Sequence, residues 1–417
     1  MRQFSKQWGI WGPWNYFGNQ TGVSVSQWDP MLVGTGWIDM IHFPFLARVN
    51  LFHAIQTSSN SQTVLQGESW RTASLFTSNP SYTYNVGLNT TALPMYPKTI
   101  IPRLPGNLHV WGTDTPAHHP YVPVSQYDLQ RYGMPATRLR ERFWNGGTWN
   151  FTDHGNPLNV NAAPFILGPT ASVWAEQDDE PIAVVAMASD NGRPLPPTVE
   201  IRIWDNGRKR WGWQTLGRPH DRVTHLRAPL VCAYQRGGET RIRIFVVGLD
   251  DSSGVPRQRR WKLYSIERYG NGFWQSDQGL RGQWNNHGEA PDVSPYRDGG
   301  NWWDESTPYG FNLTQAVVWS DQYGSRVNIF GHSDVGDQMP EFFYNGSRWQ
   351  WGLGTHKTPV AGTVLRCNGI ARTTRPALNG NSNQFRIGVY AELSNGQVWE
   401  RYYDTFQGGG WTWLKLR

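Results

Sequence analysis

The chain has 417 residues, of which 38% are apolar, 17% charged and 14% aromatic, with 24 Trp, 45 Gly, 28 Pro, two Cys and a formal net charge of +6. So aromatic and weakly charged a chain is not intrinsically disordered, and two cysteines make no disulfide framework. No window approaches the ~18 consecutive apolar residues of a membrane span.

The start, Met1-Arg-Gln-Phe-Ser-Lys-Gln-Trp-Gly, runs into Gly and Pro instead of an apolar stretch. Neither a secretory leader nor membrane insertion is therefore expected, which implies a cytoplasmic location or a non-classical export route. The positive charge resides in 32 scattered Arg against six Lys, unlike the clustered charge of nucleic-acid binders, so no nucleic-acid partner is expected. The one dense basic run, Arg257-Gln-Arg-Arg-Trp-Lys262, reads as a solvated loop and strand edge.

Along the chain, residues 1–22, with Trp8, Trp11 and Trp14, form an N-terminal extension or a ring-closing segment. Residues 23–417 carry a repeat. A degenerate copy, Gly67-Glu-Ser-Trp70, comes first, followed by Glu141-Arg-Phe-Trp-Asn-Gly-Gly-Thr-Trp-Asn-Phe151 and Glu200-Ile-Arg-Ile-Trp-Asp-Asn-Gly-Arg-Lys-Arg-Trp-Gly-Trp213. The next copy starts at Ile266-Glu-Arg-Tyr-Gly-Asn-Gly272 and, after an insertion, ends at Gly282-Gln-Trp284. Glu341-Phe-Phe-Tyr-Asn-Gly-Ser-Arg-Trp-Gln-Trp351 and Glu400-Arg-Tyr-Tyr403 with Gly410-Trp-Thr-Trp413 complete the series. The repeated tryptophans Trp70, Trp149, Trp211, Trp284, Trp349 and Trp411 are spaced by 79, 62, 73, 65 and 62 residues.

Within a unit the segments are short and β-like, as in Ala316-Val-Val-Trp319, Val327-Asn-Ile-Phe330 and Glu341-Phe-Phe-Tyr344. Turn residues separate them. Four antiparallel strands repeated radially are propeller blades, so the expected fold is all-β: a single β-propeller of six four-stranded blades, or seven if the N-terminal segment joins residues near 29–47. The Asn-Gly pairs at 145–146, 206–207, 271–272 and 345–346 predict tight type I′ turns between third and fourth strands. Cys232 and Cys367 read as small buried strand residues.

The unit at 316–351 sets Trp319 and Arg326 upstream of Glu341 and Trp349. In this it resembles the fucose-specific β-propeller lectins of fungi and bacteria, whose blades pair a strand-borne Arg with a Glu on the next strand and an aromatic wall. It is also similar to the related bacterial insect-pathogen lectins, through the aromatic-Gly-x-x-Trp-x-aromatic ending and a loop such as Asp153-His-Gly-Asn-Pro157. The resemblance covers residues 140–417 and implies sugar pockets at blade interfaces for fucose or a related monosaccharide, with glycans as partners and no cofactor.

By this resemblance Trp319, Arg326, Glu341 and Trp349 form a sugar pocket, in which Arg326 donates to sugar oxygens, Glu341 accepts from hydroxyls, and Trp319 or an aromatic of the neighbouring blade forms the stacking wall. Arg243 with Glu267, and Arg386 with Glu400 and Trp411, are variant copies. The Arg-to-Glu separations are 15, 24 and 14 residues, and Ile182-Ala-Val-Val-Ala-Met187 carries no Arg, so not every blade is expected to bind. A pyranose packs its C–H face on an indole while its hydroxyls need fixed donors and acceptors, which suits these residue types. The same residues also fit a purely structural role, the Trp as inter-blade wedges and the Arg–Glu pairs as inter-strand ion pairs.

Two further functions compete. A propeller enzyme, a glycoside hydrolase or lyase or a cyclase-like catalyst, would need carboxylates in its funnel. Asp178, Asp179, Glu180, Asp250, Asp251 and Asp304 are too many to rank. A protein-interaction scaffold would need no such chemistry, and self-association stays open. His154 and His287, in similar Trp-Asn contexts, read as polar loop caps rather than metal ligands or acid–base groups, so no metal site is expected.

Overall fold

In the computed structural model the strands are described along the whole chain. Side chains are described chiefly within 138–155, 198–250, 259–291, 310–360 and 387–415, with gaps, besides Trp111 and Val364. Two compact units are present, residues 1–160 and 161–417. The chain is all-β and follows the β-propeller pattern, in which consecutive strands pair with their neighbours into antiparallel meanders.

The first unit holds two sheets. Sheet I comprises Leu46–Thr57, Thr63–Arg71 and Tyr82–Asn85, with Val23–Val25 and Leu32–Asp39 both pairing the first of these. Sheet II comprises Tyr96–Arg103, Asn107–Thr113, Leu139–Trp144 and Trp149–Gly155. A small ribbon pairs Phe4–Ser5 with Ile10–Trp11.

Among the described residues the second unit holds four larger sheets and a two-stranded ribbon. Sheet III is Ile166–Ala175, Pro181–Ser189, Thr198–Asp205 and Arg210–Gly217. Sheet IV is Leu230–Arg236, Glu239–Asp250, Arg260–Tyr269 and Asn285–Asn286, with Val223–Leu226 also pairing the second strand. Sheet V is Phe311–Asp321, Gly324–Ser333, Glu341–Tyr344 and Trp349–Trp351; sheet VI is Val364–Arg375, Gln384–Leu393, Val398–Asp404 and Trp411–Lys415. Among the described residues no helix is long and apolar enough to cross a membrane.

Period-2 alternation sends successive side chains to opposite faces, and among the described residues sheets IV and V are buried on both, each sharing a core with the sheets before and after it. Val199 and Ile201 of sheet III pack with Ile242, Ile244 and Ile266 of sheet IV. Phe245 and Leu263 of sheet IV pack with Val327, Ile329 and Phe342 of sheet V. Phe330 of sheet V packs with Val389 and Ala391 of sheet VI.

The repeated tryptophans staple these interfaces. Trp351 Nε1 donates to His287 O of the preceding sheet at 2.8 Å, Trp413 Nε1 to Lys357 O at 2.9 Å, and Trp284 Nε1 to Leu216 O at 3.4 Å. Trp284 therefore occupies the second Trp position of its sheet. The first belongs to buried Trp274, and the insertion in this copy falls after Trp274, not after Gly272. Sequence spacing masked this because the insertion separates two residues that elsewhere stand two apart.

The third and fourth strands of sheets II, III and V are joined as the Asn-Gly pairs predict, but across four residues: Trp144 pairs Trp149, Asp205 pairs Arg210, and Tyr344 pairs Trp349. In sheet V the extra length comes from an Asx turn, in which Asn345 Oδ1 accepts from Ser347 N and Arg348 N, both at 3.0 Å. Gly346 has a φ of 95°, a left-handed conformation, and it lies beneath the Arg326 guanidinium, where a Cβ would come 1.7 Å from Nη1.

Candidate functional site

The five copies after the degenerate one each carry a glutamate on the third strand, and Glu141, Glu200, Glu267, Glu341 and Glu400 are all buried, between 1% and 8% exposed. A buried carboxylate needs partners. Glu141 Oε2 meets His154 Nε2 at 3.0 Å, and Thr215 Oγ1 donates to Glu200 Oε2 at 2.7 Å. Asn328 Nδ2 donates to Glu341 Oε1 at 2.7 Å, while His356 Nε2 is 3.1 Å from Glu341 Oε2. Glu267 takes arginines.

Of the expected Arg–Glu pairs, Arg243 and Glu267 stand directly opposite in the ladder. Arg326 lies opposite Trp319 while Glu341 lies opposite Phe330, four residues further on, or about 13 Å along the strand. Arg386 lies opposite Asp404 and Glu400 opposite Tyr390, with the same offset. The sequence separations of 24, 15 and 14 conceal this because the loops between the strands differ in length. The side chains of Trp319 and Arg386 are outside the described residues, as is that of Cys367; Cys232 is buried in sheet IV, with its thiol pushed up to about 12 by burial.

The interface between sheets IV and V is a dense polar network. Arg243, fully buried, donates to Glu267 Oε2 through Nε at 2.9 Å and Nη2 at 2.7 Å, and through Nη1 to Ser265 Oγ at 3.1 Å and Asp277 Oδ2 at 3.3 Å. Its Nη2 also pairs with Asp277 Oδ1. Arg241 Nη1 donates to Glu267 Oε1 at 2.7 Å, and the Tyr234 hydroxyl donates to Glu267 Oε2.

From sheet V, Trp349 Nε1 donates to the Tyr234 oxygen at 3.3 Å, and its ring lies 5.0 Å from the Arg243 guanidinium and 4.9 Å from Phe245. Trp349 thus fills the inter-sheet wedge. Burial alone would raise the Glu267 and Asp277 pKa values, but the charge and hydrogen bonds of Arg243 outweigh it, and both carboxyls lie below their ordinary range.

His287 closes the inner wall. Ser265 Oγ accepts from Arg243 Nη1 and from Asn285 Nδ2, so its one proton goes to His287 Nε2, 2.7 Å away. Burial, then the nearby Arg243 charge, brings the imidazole down to about 4, and it is neutral at pH 7. His154 and His287 are therefore not loop caps: His154 is buried on its strand, stacked 4.7 Å from Trp111, and His287 is built into the interface. Both stand at the end of a fourth strand, before a left-handed glycine, and each ring bonds to the third strand of its own sheet, His154 to Glu141 and His287 to Ser265.

The interface between sheets V and VI combines residues from both. A two-stranded ribbon, Gln338–Met339 with His356–Lys357, holds His356 against Glu341. Arg401 of sheet VI donates from Nε to His356 Nδ1 at 3.3 Å, which leaves Nε2–H to donate to Glu341. The Trp411 ring lies 4.7 Å from His356 and 5.5 Å from Phe330, and the Arg401 guanidinium is 6.0 Å from Trp411 and 5.3 Å from Trp413. Arg401 and Trp411 are both half-buried. Burial lowers the Arg401 pKa against the raising effect of Glu341.

Sequence reading missed Arg401, His356 and Asn328 because they converge on Glu341 from a neighbouring sheet, a ribbon and an adjacent strand. Of the candidate carboxylates, Asp250 is paired with Lys262 at 2.6 Å and Asp251 with Arg259 at 3.0 Å. Asp178, Asp179, Glu180 and Asp304 lie outside the described residues.

No family model and no curated protein matches the chain. It resembles solved propellers. A fungal lectin from Aleuria aurantia, described as a six-bladed β-propeller with a novel fucose recognition mode, aligns over 92% of this chain and 94% of its own at 10% identity and a TM-score of 0.44. The α-L-arabinofuranosidase of Fusarium graminearum, in complex with arabinobiose, aligns over 95% of each chain at 9% identity and a TM-score of 0.47. The Hadza microbial sialidase Hz136 aligns over 88% of this chain and 70% of its own at 11% identity and a TM-score of 0.45. Likeness at these identities carries no function across.

Proposed function

We propose that the protein is a carbohydrate-binding lectin whose sugar sites are clefts between consecutive sheets, the principal one between sheets V and VI. The observation that carries this reading is the convergence of Glu341, Arg401 and Trp411 from adjacent sheets. The carboxylate accepts from sugar hydroxyls, the guanidinium donates to them, and the half-buried indole takes the apolar face of the ring. One cation beside one anion makes the cleft close to neutral, which suits an uncharged monosaccharide such as fucose better than a phosphate or a nucleic acid. Arg326 lies on the same face of sheet V as Glu341 but further along it, so Arg401 takes the donor role at this carboxylate.

A glycan array followed by assay of chromogenic glycosides tests the reading. Selective retention of glycans sharing one terminal sugar, without turnover, supports it. Turnover of a glycoside makes the protein a hydrolase, and retention of no glycan overturns the proposal.

A further inference from the structure

We infer that the cleft between sheets IV and V is a carboxylate site whose present occupant is the chain's own Asp277. Arg243 has no exposure, yet the edge of its guanidinium not used by Glu267 faces Asp277, whose side chain is 37% exposed and covers it from the solvent side. The two groups meet through both guanidinium Nη atoms and both carboxylate oxygens, the paired geometry in which Arg recognises a carboxylate. Trp349, His287 and Ser265 form the rest of the wall.

Asp277 reaches this position on the segment inserted between Trp274 and Trp284. In sheets III, V and VI the two corresponding aromatics, Trp211 and Trp213, Trp349 and Trp351, and Trp411 and Trp413, are two residues apart and leave no room for such a loop. The insertion holds its own shape through the main chain: Ser276 N to Leu280 O at 3.1 Å, Gly279 N to Ser276 O at 2.9 Å and Gly282 N to Trp274 O at 2.8 Å. Asp277 N is anchored separately on Asn285 Oδ1 at 2.8 Å. None of these bonds uses the Asp277 carboxylate, so it can leave Arg243, or be removed, with the loop in place.

Without that carboxylate the cleft keeps Arg241, Arg243 and the nearby Arg236 charge against Glu267 and the exposed Glu239, which lies 3.6 Å from Arg241. This excess of positive charge beside an indole selects a small carboxylate-bearing ligand, and a uronic acid is the sugar of that class. The uronic-acid form rests on the reading of the interfaces as sugar sites; the carboxylate site itself does not. A cleft occupied by its own side chain about nine-tenths of the time binds an outside ligand about tenfold more weakly than an open one.

Asp277→Ala and Asp277→Asn, titrated calorimetrically with methyl glucuronide and methyl glucoside and melted with and without acetate, test this. Both variants are expected to bind the glucuronide at least tenfold more tightly than the unaltered protein does, with no gain for the glucoside. Acetate is expected to raise their melting temperatures but not that of the unaltered protein. The inference is overturned if neither variant gains affinity for the glucuronide or responds to acetate, or if both ligands gain equally. A response to acetate without binding of any sugar leaves the carboxylate site standing and overturns the lectin reading. Binding of neutral sugars without any carboxylate response does the reverse.

Discussion

His287 makes acid sensitivity a local property of the interface between sheets IV and V. On its own sheet it faces Arg243, Asp277 and Ser265, and from sheet V the Phe342 ring lies 4.7 Å away. Its pKa falls from an ordinary 6.5 to about 4, so the folded state rejects a proton that the unfolded chain accepts. Stability from this group is complete above pH 6.5 and is lost as the pH falls towards 4. At 1.36 kcal/mol per unit the loss comes to about 3 kcal/mol.

Urea unfolding at pH 7.5, 6.5, 5.5 and 4.5 reads this slope directly, with His287→Gln as comparator. Glutamine keeps an amide oxygen for the Ser265 proton but does not titrate. The unaltered protein should lose about 2–3 kcal/mol more than the variant between pH 6.5 and 4.5. Parallel curves across that range would refute the reasoning. Glu267 and Asp277, whose pKa values are also depressed, contribute stability that begins to be lost in the ordinary carboxylate range and goes on falling below it; both remain in His287→Gln, so the comparison with the variant cancels their share.

Two packing predictions accompany it. Trp349→Ala should destabilise by about 3–5 kcal/mol in urea unfolding, because it empties the space between Phe245 and Phe342 and cuts the bond to Tyr234; a loss below about 1 kcal/mol would show that the wedge is dispensable. Gly331→Ala should cost about 1–3 kcal/mol, since its Cβ would come 2.3 Å from the Asn312 carbonyl oxygen, which belongs to a paired strand and cannot swing aside. Gly212→Ala, with nothing within 4 Å of the added Cβ, is the control and should change stability by less than about 1 kcal/mol.

The sheets were legible because local signals agree: turn residues punctuate short β-rich runs, and the third strands of sheets II to VI carry a Glu just before their aromatics. Convergence between sheets was not legible. Glu341 meets His356 and Arg401 only because a ribbon and the next sheet deliver them, and Arg243, the partner of Glu267, is satisfied in part by Asp277 from a loop whose length hides the Trp274–Trp284 equivalence. Sequence distance also says nothing of ladder register. The pair separated by 24 residues is the one that meets face to face.

The most direct test of the account is calorimetry with a monovalent glycoside of the array-selected sugar on Arg401→Ala, Glu341→Gln and Arg326→Ala. Loss of a charge-assisted hydrogen bond is worth about 1.5–3 kcal/mol, so Arg401→Ala and Glu341→Gln should each weaken the site between sheets V and VI by roughly ten- to hundredfold. Arg326→Ala should leave that affinity within about threefold. Full affinity in Arg401→Ala and Glu341→Gln, with the loss appearing in Arg326→Ala alone, would contradict the account and place the sugar at the far end of sheet V.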